Sequence, residues 1–333
     1  MFKTKRPLLV VFFLAALLLY TAFAVLLFYP HHQSLVSYKR LFPLEAIIAS
    51  AGVFILCRRW VLSFFASLIG GAVYGFGTYA TSFLCFHPLA GVVYALIPWT
   101  FIPAVFFYRL TNLDKLNKKI ISALLVFLSI IFIFAAFQFF VKNYFYPIPV
   151  QTNLQLRALL GIIAPTGVKQ DIFAPGFYHV CIAGLIMGLG VLIETRRIGV
   201  IFLFLITSLA AFYKPILNVP PVIWESIPVL ICSVIIATGL ETIVLAGAGD
   251  GRWLLTTVAI LLTLSIINIF ITDHHTIIPL SAGLFGMGIA SVLSIYFIAE
   301  SNRSWHLARK FILYAPAMID VIVSTKQNID MIF

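Results

Sequence analysis

Ten runs of apolar residues, nearly free of charge, divide the chain between Leu8 and Ala299. They lie at 8–29, 41–57, 61–80, 89–108, 120–141, 176–193, 198–213, 222–246, 253–272 and 277–299. A bilayer core takes about 20 helical residues to cross, and within it each backbone amide and carbonyl must be paired inside the protein. Runs of this length and kind therefore predict membrane-spanning helices. The expected fold class is all-α, a polytopic integral membrane protein of about ten helices forming a single transmembrane domain. Composition agrees: 62% of the residues are hydrophobic and 10% charged, against about 25% charged in soluble domains.

The interval 142–175 is the one long stretch that cannot be a span, and five runs stand on each side of it. Its apolar part is too short to cross a bilayer. Thr152 and Gln155 have the spacing of a capping box, and Leu156, Leu159, Leu160 and Ile163 recur as one face of a helix. Asn153 and Arg157 share the other face, and Pro165 and Gly167 end the pattern. This predicts an interfacial helix over 153–164, acting either as a connector or as a gate.

Charge sets the expected orientation. With the N-terminus inside, sixteen of the 22 Lys and Arg fall on inner segments; the other six are Lys39, Arg40, Lys142, Arg157, Lys169 and Lys214. Basic residues stay on the cytoplasmic side, so the expectation is N-in and C-in. The tail 311–333 is broken by Pro316, Asp320 and Lys326 and is expected to lie along the inner surface. The N-terminal apolar run is longer than the core of a cleaved signal peptide and predicts an uncleaved first span.

Five spans on each side of the connection place the second half upside down relative to the first, the arrangement of inverted-repeat transporters. Spans two and seven, equivalent in that scheme, are the shortest, and each has a proline and basic residues at its outer end: Pro43 with Lys39 and Arg40, Pro215 with Lys214. Short spans at matched positions point to a binding site; the plainer reading is that their ends merely snorkel to the interface.

The net charge of +11 is spread over loops and forms no basic patch, so no nucleic-acid partner is expected. Cys57, Cys85, Cys181 and Cys232 form no CxxC and no disulfide framework. Gly71 and Gly75, and Gly184 and Gly188, make GxxxG pairs suited to close helix packing. The glycine-rich 247–251 has no strand before it and predicts a tight turn rather than a phosphate loop.

Acids inside the predicted spans are Glu45, Glu225 and Glu241. Intramembrane carboxylates are functional candidates, yet Glu45 and Glu225 fall near span ends and Glu241 within two turns of the inner end, so no buried proton relay is expected. Six of the seven histidines, His31, His32, His87, His179, His274 and His275, fall on the outer side. They could supply imidazole ligands, but none has the i, i+3 or i, i+4 spacing of a helical metal site, and no cofactor is expected.

These residues predict a carrier, or the membrane subunit of one, for a small solute, in the cytoplasmic membrane. Lys39, Arg40, Lys214 and Arg157, with Glu225 and Glu241, form the expected binding set for an anionic or lipid-headgroup ligand. An alternative is a membrane enzyme acting on a lipid or cell-surface polymer, with His87, His179 and His274 as acid–base groups. A third is a structural or assembly subunit with no site of its own. A cavity between spans two and seven favours the carrier; a lateral cleft lined by the outer histidines favours the enzyme.

Overall fold

The computed structural model describes residues 6–33, 39–110, 115–143, 145–162, 175–271, 278–300 and 305–332. Twelve α-helices are described: α1 (Arg6–Phe28), α2 (Phe42–Cys57), α3 (Phe64–Phe76), α4 (Thr78–Ser82), α5 (Pro88–Leu110), α6 (Lys115–Lys142), α7 (His179–Glu194), α8 (Ile198–Phe212), α9 (Ser226–Leu245), α10 (Gly251–Ile271), α11 (Ile278–Glu300) and α12 (His306–Ile332). Among the described residues the only extended pairing is an isolated bridge between Ile216 and Val219.

Among the described residues seven helical segments are long and apolar enough to cross a membrane, and α2, α7 and α8 are apolar but shorter. Large apolar side chains stand outward: Leu18 is 71% exposed, Phe202 64% and Phe270 84%. Serines, threonines and carboxylates turn inward instead, among them Glu45, Ser50, Glu225 and Asp320. That inside-out distribution is what lipid requires.

Helix α1 shows why its sequence carries no visible stripe. It is apolar all round, yet among its described side chains only Ala16, Tyr20, Ala24, Leu27 and Phe28 are buried, and the first four, three to four residues apart, line the face toward the bundle. Helices α1 and α2 are antiparallel. Phe28 packs on Phe42 at one end of the bundle (centroids 5.5 Å apart), while Phe12 packs on Phe64 at the other (5.6 Å). The end where α1 begins is called here the near end, and the other the far end.

Both glycine pairs are contact points. A Cβ on Gly71 would lie 2.6 Å from the Ser50 carbonyl, and one on Gly75 2.4 Å from that of Ala46, so α3 sits directly on α2. Gly184 and Gly188 receive α9 at Gly239, where a Cβ would come within 1.8 Å of the Gly184 carbonyl. Without an apolar driving force between helices in lipid, such close approach supplies the packing energy. The 247–251 segment is the predicted tight turn: the Asp250 carboxylate accepts the Gly247 amide at 2.9 Å.

Prolines within helices free carbonyls four residues earlier. Pro98 in α5 releases that of Tyr94, which accepts the Tyr74 hydroxyl at 3.2 Å. The Tyr94 hydroxyl returns a bond to the Tyr74 carbonyl, and the two rings stack 4.4 Å apart. The third span is broken at Gly77 between α3 and α4, where a Cβ would strike the Val73 carbonyl at 2.3 Å.

Two expectations are corrected. The connection after α6 holds a 3-10 helix, Leu156–Ile162, not an α-helix over 153–164. The Leu154 amide donates to the Ala211 carbonyl at 2.9 Å and the Thr152 carbonyl accepts the Val222 amide at 3.2 Å. Those bonds tie the stretch to the end of α8 and the start of α9, so Thr152 does not cap a helix. Leu156 is 77% exposed and Ala158 takes the buried place; Ile163 lies outside the described residues.

The second correction concerns the tail. Residues expected along the inner surface form α12, which runs the length of the bundle. At the near end Arg309 Nη1 donates to the Ala246 carbonyl at 2.6 Å, and at the far end Asp330 meets His31 at 2.9 Å. Its 27 residues rise about 40 Å at 1.5 Å each. Arg309, Leu313, Ala317, Asp320, Val321 and Ser324 make one buried stripe. Its buried polar residues, Arg309, Asp320, Ser324 and Thr325, face other helices, while Lys310, Lys326 and Asp330 stand exposed.

Candidate functional site

Two places gather features that lipid-buried packing alone does not require: a cavity toward the near end, and a closed polar cluster around His179.

The cavity has a volume of about 630 Å³, within the usual 300–1,000 Å³ of ligand sites. Helices α2, α5 and α6 of the first half wall one side, and α7, α8 and α9 of the second the other. It lies between the predicted spans two and seven, with Leu56, Arg59 and Trp60 on the α2 side and Arg197, Val200 and Leu203 on the α8 side. Its interior is apolar. On α9 the lining runs from Thr238 to Leu230, about 12 Å along the axis. The cations stand just past the C-terminal end of α2 and at the start of α8: Arg59 is half-buried, and the Arg197 guanidinium lies over the Trp60 ring, 5.8 Å from its centroid. Among the described residues no carboxylate pairs with either arginine.

None of Lys39, Arg40, Lys214, Glu225 or Glu241 lines this cavity. Arg40 and Lys214 are exposed, and the side chains of Lys39 and Arg157 lie outside the described ones. Glu225 and Glu45 are buried, and Glu225 Oε2 and Glu45 Oε1 have no hydrogen-bond partner among the described residues. Glu241 has a structural place. Its Oε1 accepts the amides of Leu62 at 2.9 Å and Ser63 at 2.8 Å, just before α3. That carboxylate, reaching from α9, satisfies orphan donors at the helix start. Burial lowers the neighbouring Arg58 guanidinium from its ordinary value, and Glu241 opposes that change.

The histidines do not share one site. His31 pairs with Asp330; His32 Nδ1 lies 2.8 Å from the Tyr29 carbonyl; the His87 ring packs edge-on against Phe145. His274 and His275 lie outside the described residues. Among the described residues no three His, Cys, Asp or Glu side chains gather as metal ligands.

His179 belongs to a polar cluster, and it is fully buried. Its Nδ1 lies 3.0 Å from Asp320 Oδ1 and its Nε2 2.6 Å from Ser281 Oγ. Asn268 Nδ2 donates to the same Ser281 oxygen at 2.7 Å. Asp320 Oδ2 accepts the Val180 amide at 2.6 Å, and Oδ1 accepts the Ser324 hydroxyl at 3.0 Å. The carboxylate from α12 thus sits at the amino end of α7, where its charge is stabilised by the free amides of the first turn. Tyr178, just before it, has φ +22°, outside the favoured regions for an L residue. Its hydroxyl bonds the Phe76 carbonyl, freed at the break between α3 and α4, at 2.8 Å, and also meets Thr325. A buried carboxylate inside the bundle was not expected, because Asp320 was placed on the surface with the rest of its helix. The i, i+4 pair Asp320 and Ser324, continuing the three-and-four spacing of Leu313 and Ala317, was the available signal. Comparison of the chain with protein families, with curated proteins and with solved structures finds no match.

Proposed function

We propose that this protein is a carrier for an amphiphilic organic anion in a cell membrane. The single observation that carries the reading is the cavity at the junction of the two halves, apolar within and with Arg59 and Arg197 toward one end. An acyl or alkyl chain fits the apolar length, and a carboxylate, phosphate or sulfonate headgroup fits the guanidinium pair. In the orientation set by the basic loops, the near end faces the cytoplasm and the first ten spans follow it N-in. Helix α12 is then an eleventh crossing, which places the residues after it outside. Spans one to five and six to ten form the two halves between which a carrier opens and closes.

The test is binding and flux with defined probes. The protein in lipid nanodiscs is titrated with a fluorescent alkyl phosphate and with the uncharged alcohol of the same chain length. The phosphate binds the wild type at least about tenfold more tightly than it binds an Arg59→Ala/Arg197→Ala variant, a difference of about 1.4 kcal/mol. The alcohol shows no such difference. Equal binding of the phosphate to both proteins removes the cavity from the mechanism. Uptake of the phosphate by proteoliposomes then separates a carrier from a static receptor.

A second reading, a membrane enzyme, has one observation in its favour: Ser281, His179 and Asp320 stand in the hydrogen-bonded order of a serine nucleophile, its base and the group that orients the base. His179 is the one member of the expected acid–base set that this arrangement uses.

A further inference from the structure

We infer that the His179–Asp320 pair is a proton-binding site whose occupancy sets how the α10–α11 hairpin is seated. Resting on the carrier reading above, it is the site through which proton binding is coupled to the movement of that carrier.

The donors and acceptors of the cluster form a directed chain. An ionised carboxylate only accepts, and Asp320 already accepts from the Val180 amide and the Ser324 hydroxyl. His179 Nδ1 therefore carries its hydrogen toward Asp320, and Nε2 of the neutral ring is left as an acceptor. Ser281 donates to it, and Asn268 donates to Ser281. The chain runs from α10 through α11 to α7 and ends on α12.

Each step of it is satisfied only while His179 is neutral. A proton added at Nε2 makes that atom a donor. Ser281 then receives bonds from both Nε2 and Asn268, its two lone pairs are filled, and its own hydrogen has to turn to a different acceptor. The polar link from the hairpin to the rest of the bundle is reversed by one proton.

The site also has an electrostatic reason to take that proton. With His179 neutral, the cluster holds one buried negative charge, and every hydrogen bond to it comes from a neutral donor. Proton uptake converts it to an imidazolium–carboxylate pair of zero net charge, which costs far less in a low dielectric. Among the described residues, Tyr178 and Cys181 at the start of α7 are titratable groups that feel the Asp320 charge. Helix α11 adds Ser281 and the edge-on ring of Phe285, α10 adds Asn268, α12 adds Ser324 and Thr325, and α3 adds the Phe76 carbonyl. Asp273, His274 and His275, between α10 and α11, lie outside the described residues. The broken span beside the cluster is the second feature of an ion-coupling site: interrupted helices expose backbone groups where ions and substrates bind in transporters.

The experiment uses the full chain in nanodiscs with no solute added. Nitrogen-15 spectra of labelled histidines are recorded between about pH 5 and about pH 8.5, the range in which imidazole titrates. The His179 signal is identified by its loss in His179→Gln. It is expected to pass from a neutral ring protonated at Nδ1 to a doubly protonated one as the pH falls. Spin labels at Phe270→Cys, on the lipid face of α10, and Leu156→Cys report the hairpin. Their separation is expected to change by a few ångströms over the same pH range, and the change is expected to vanish in Ser281→Ala. A His179 ring that keeps one protonation state throughout overturns the inference, whatever the alkyl phosphate assay shows. A titrating ring with an unmoved hairpin overturns the coupling. Covalent labelling of Ser281 by a fluorophosphonate, lost in His179→Gln, overturns it in favour of acyl-transfer chemistry. Failure of alkyl phosphate binding with both pH responses intact removes the carrier reading alone.

Discussion

His31 at the end of α1 and Asp330 in the last turn of α12 meet at 2.9 Å, although 299 positions separate them in the chain. The pair is partly exposed, and such contacts contribute at most about 1 kcal/mol. Its value is positional, because it fixes α12 as a helix that traverses the bundle.

The first prediction follows from that position. A tag placed before Met1 and one placed after Phe333 are expected on opposite faces of the membrane, in protease-protection experiments on sealed vesicles. Protection of both tags on the same side would return α12 to the surface.

Asp320 is expected to be the most costly single carboxylate to remove. Replacing it by alanine leaves the Val180 amide and the His179 ring without their partner inside the bundle. Breaking a buried pair in this way costs about 3–5 kcal/mol. Asp320→Asn keeps the shape and one acceptor and is expected to cost about 1–3 kcal/mol. Unfolding of the purified protein in detergent gives both numbers, and an alanine variant as stable as wild type contradicts the account.

Glu241 is expected to act on stability and not on ligand affinity. Glu241→Gln weakens the two amide contacts before α3 from charge-assisted to neutral bonds, a loss of about 1–2 kcal/mol. Alkyl phosphate binding to the folded variant is expected to stay at the wild-type level. A fall of tenfold or more would give the carboxylate a place in the cavity that its bonds do not suggest.

What could be read from the sequence, and what could not, divides along one physical line. Hydropathy found the apolar segments because α1, α6 and α10 show lipid a large share of their surface, and the glycine spacing at 71, 75, 184 and 188 found the helix contacts because close approach depends on local chemistry. Helix α12 was missed because its polar residues are satisfied by partners far along the chain, Val180 and His31 among them. The same cause hid the cluster: His179 was visible as a histidine, but Asp320 and Ser281 become its neighbours only when three helices pack. Arg59 and Arg197 read as ordinary inner-loop charges, and only the cavity between them gives them a further use.

The glycine contacts give a paired prediction. Gly239→Ala is expected to destabilise by about 1–3 kcal/mol, since the new methyl would meet the Gly184 carbonyl at 1.8 Å. Gly199 in α8 has nothing within 4 Å of such a methyl, and Gly199→Ala is expected to stabilise by about 0.5–1 kcal/mol. Thermal unfolding of the two variants side by side checks the pair, and a tolerant Gly239 would mean that α7 and α9 do not cross there.

The buried stripe of α12 has a consequence for how the protein is made. A segment carrying Arg309, Asp320, Ser324 and Thr325 on one side gains little by entering lipid alone, since a single intramembrane charge costs about 2.5–3.5 kcal/mol during insertion. Every helix it packs against precedes it in the chain. It therefore leaves the ribosome as a segment that the insertion machinery has reason to reject, and it becomes acceptable only once the earlier helices offer it a polar lining. On the topology proposed above, assembly of the preceding helices licenses the crossing of α12, and a mutation that slows that assembly would strand α12 on the side where it was synthesised.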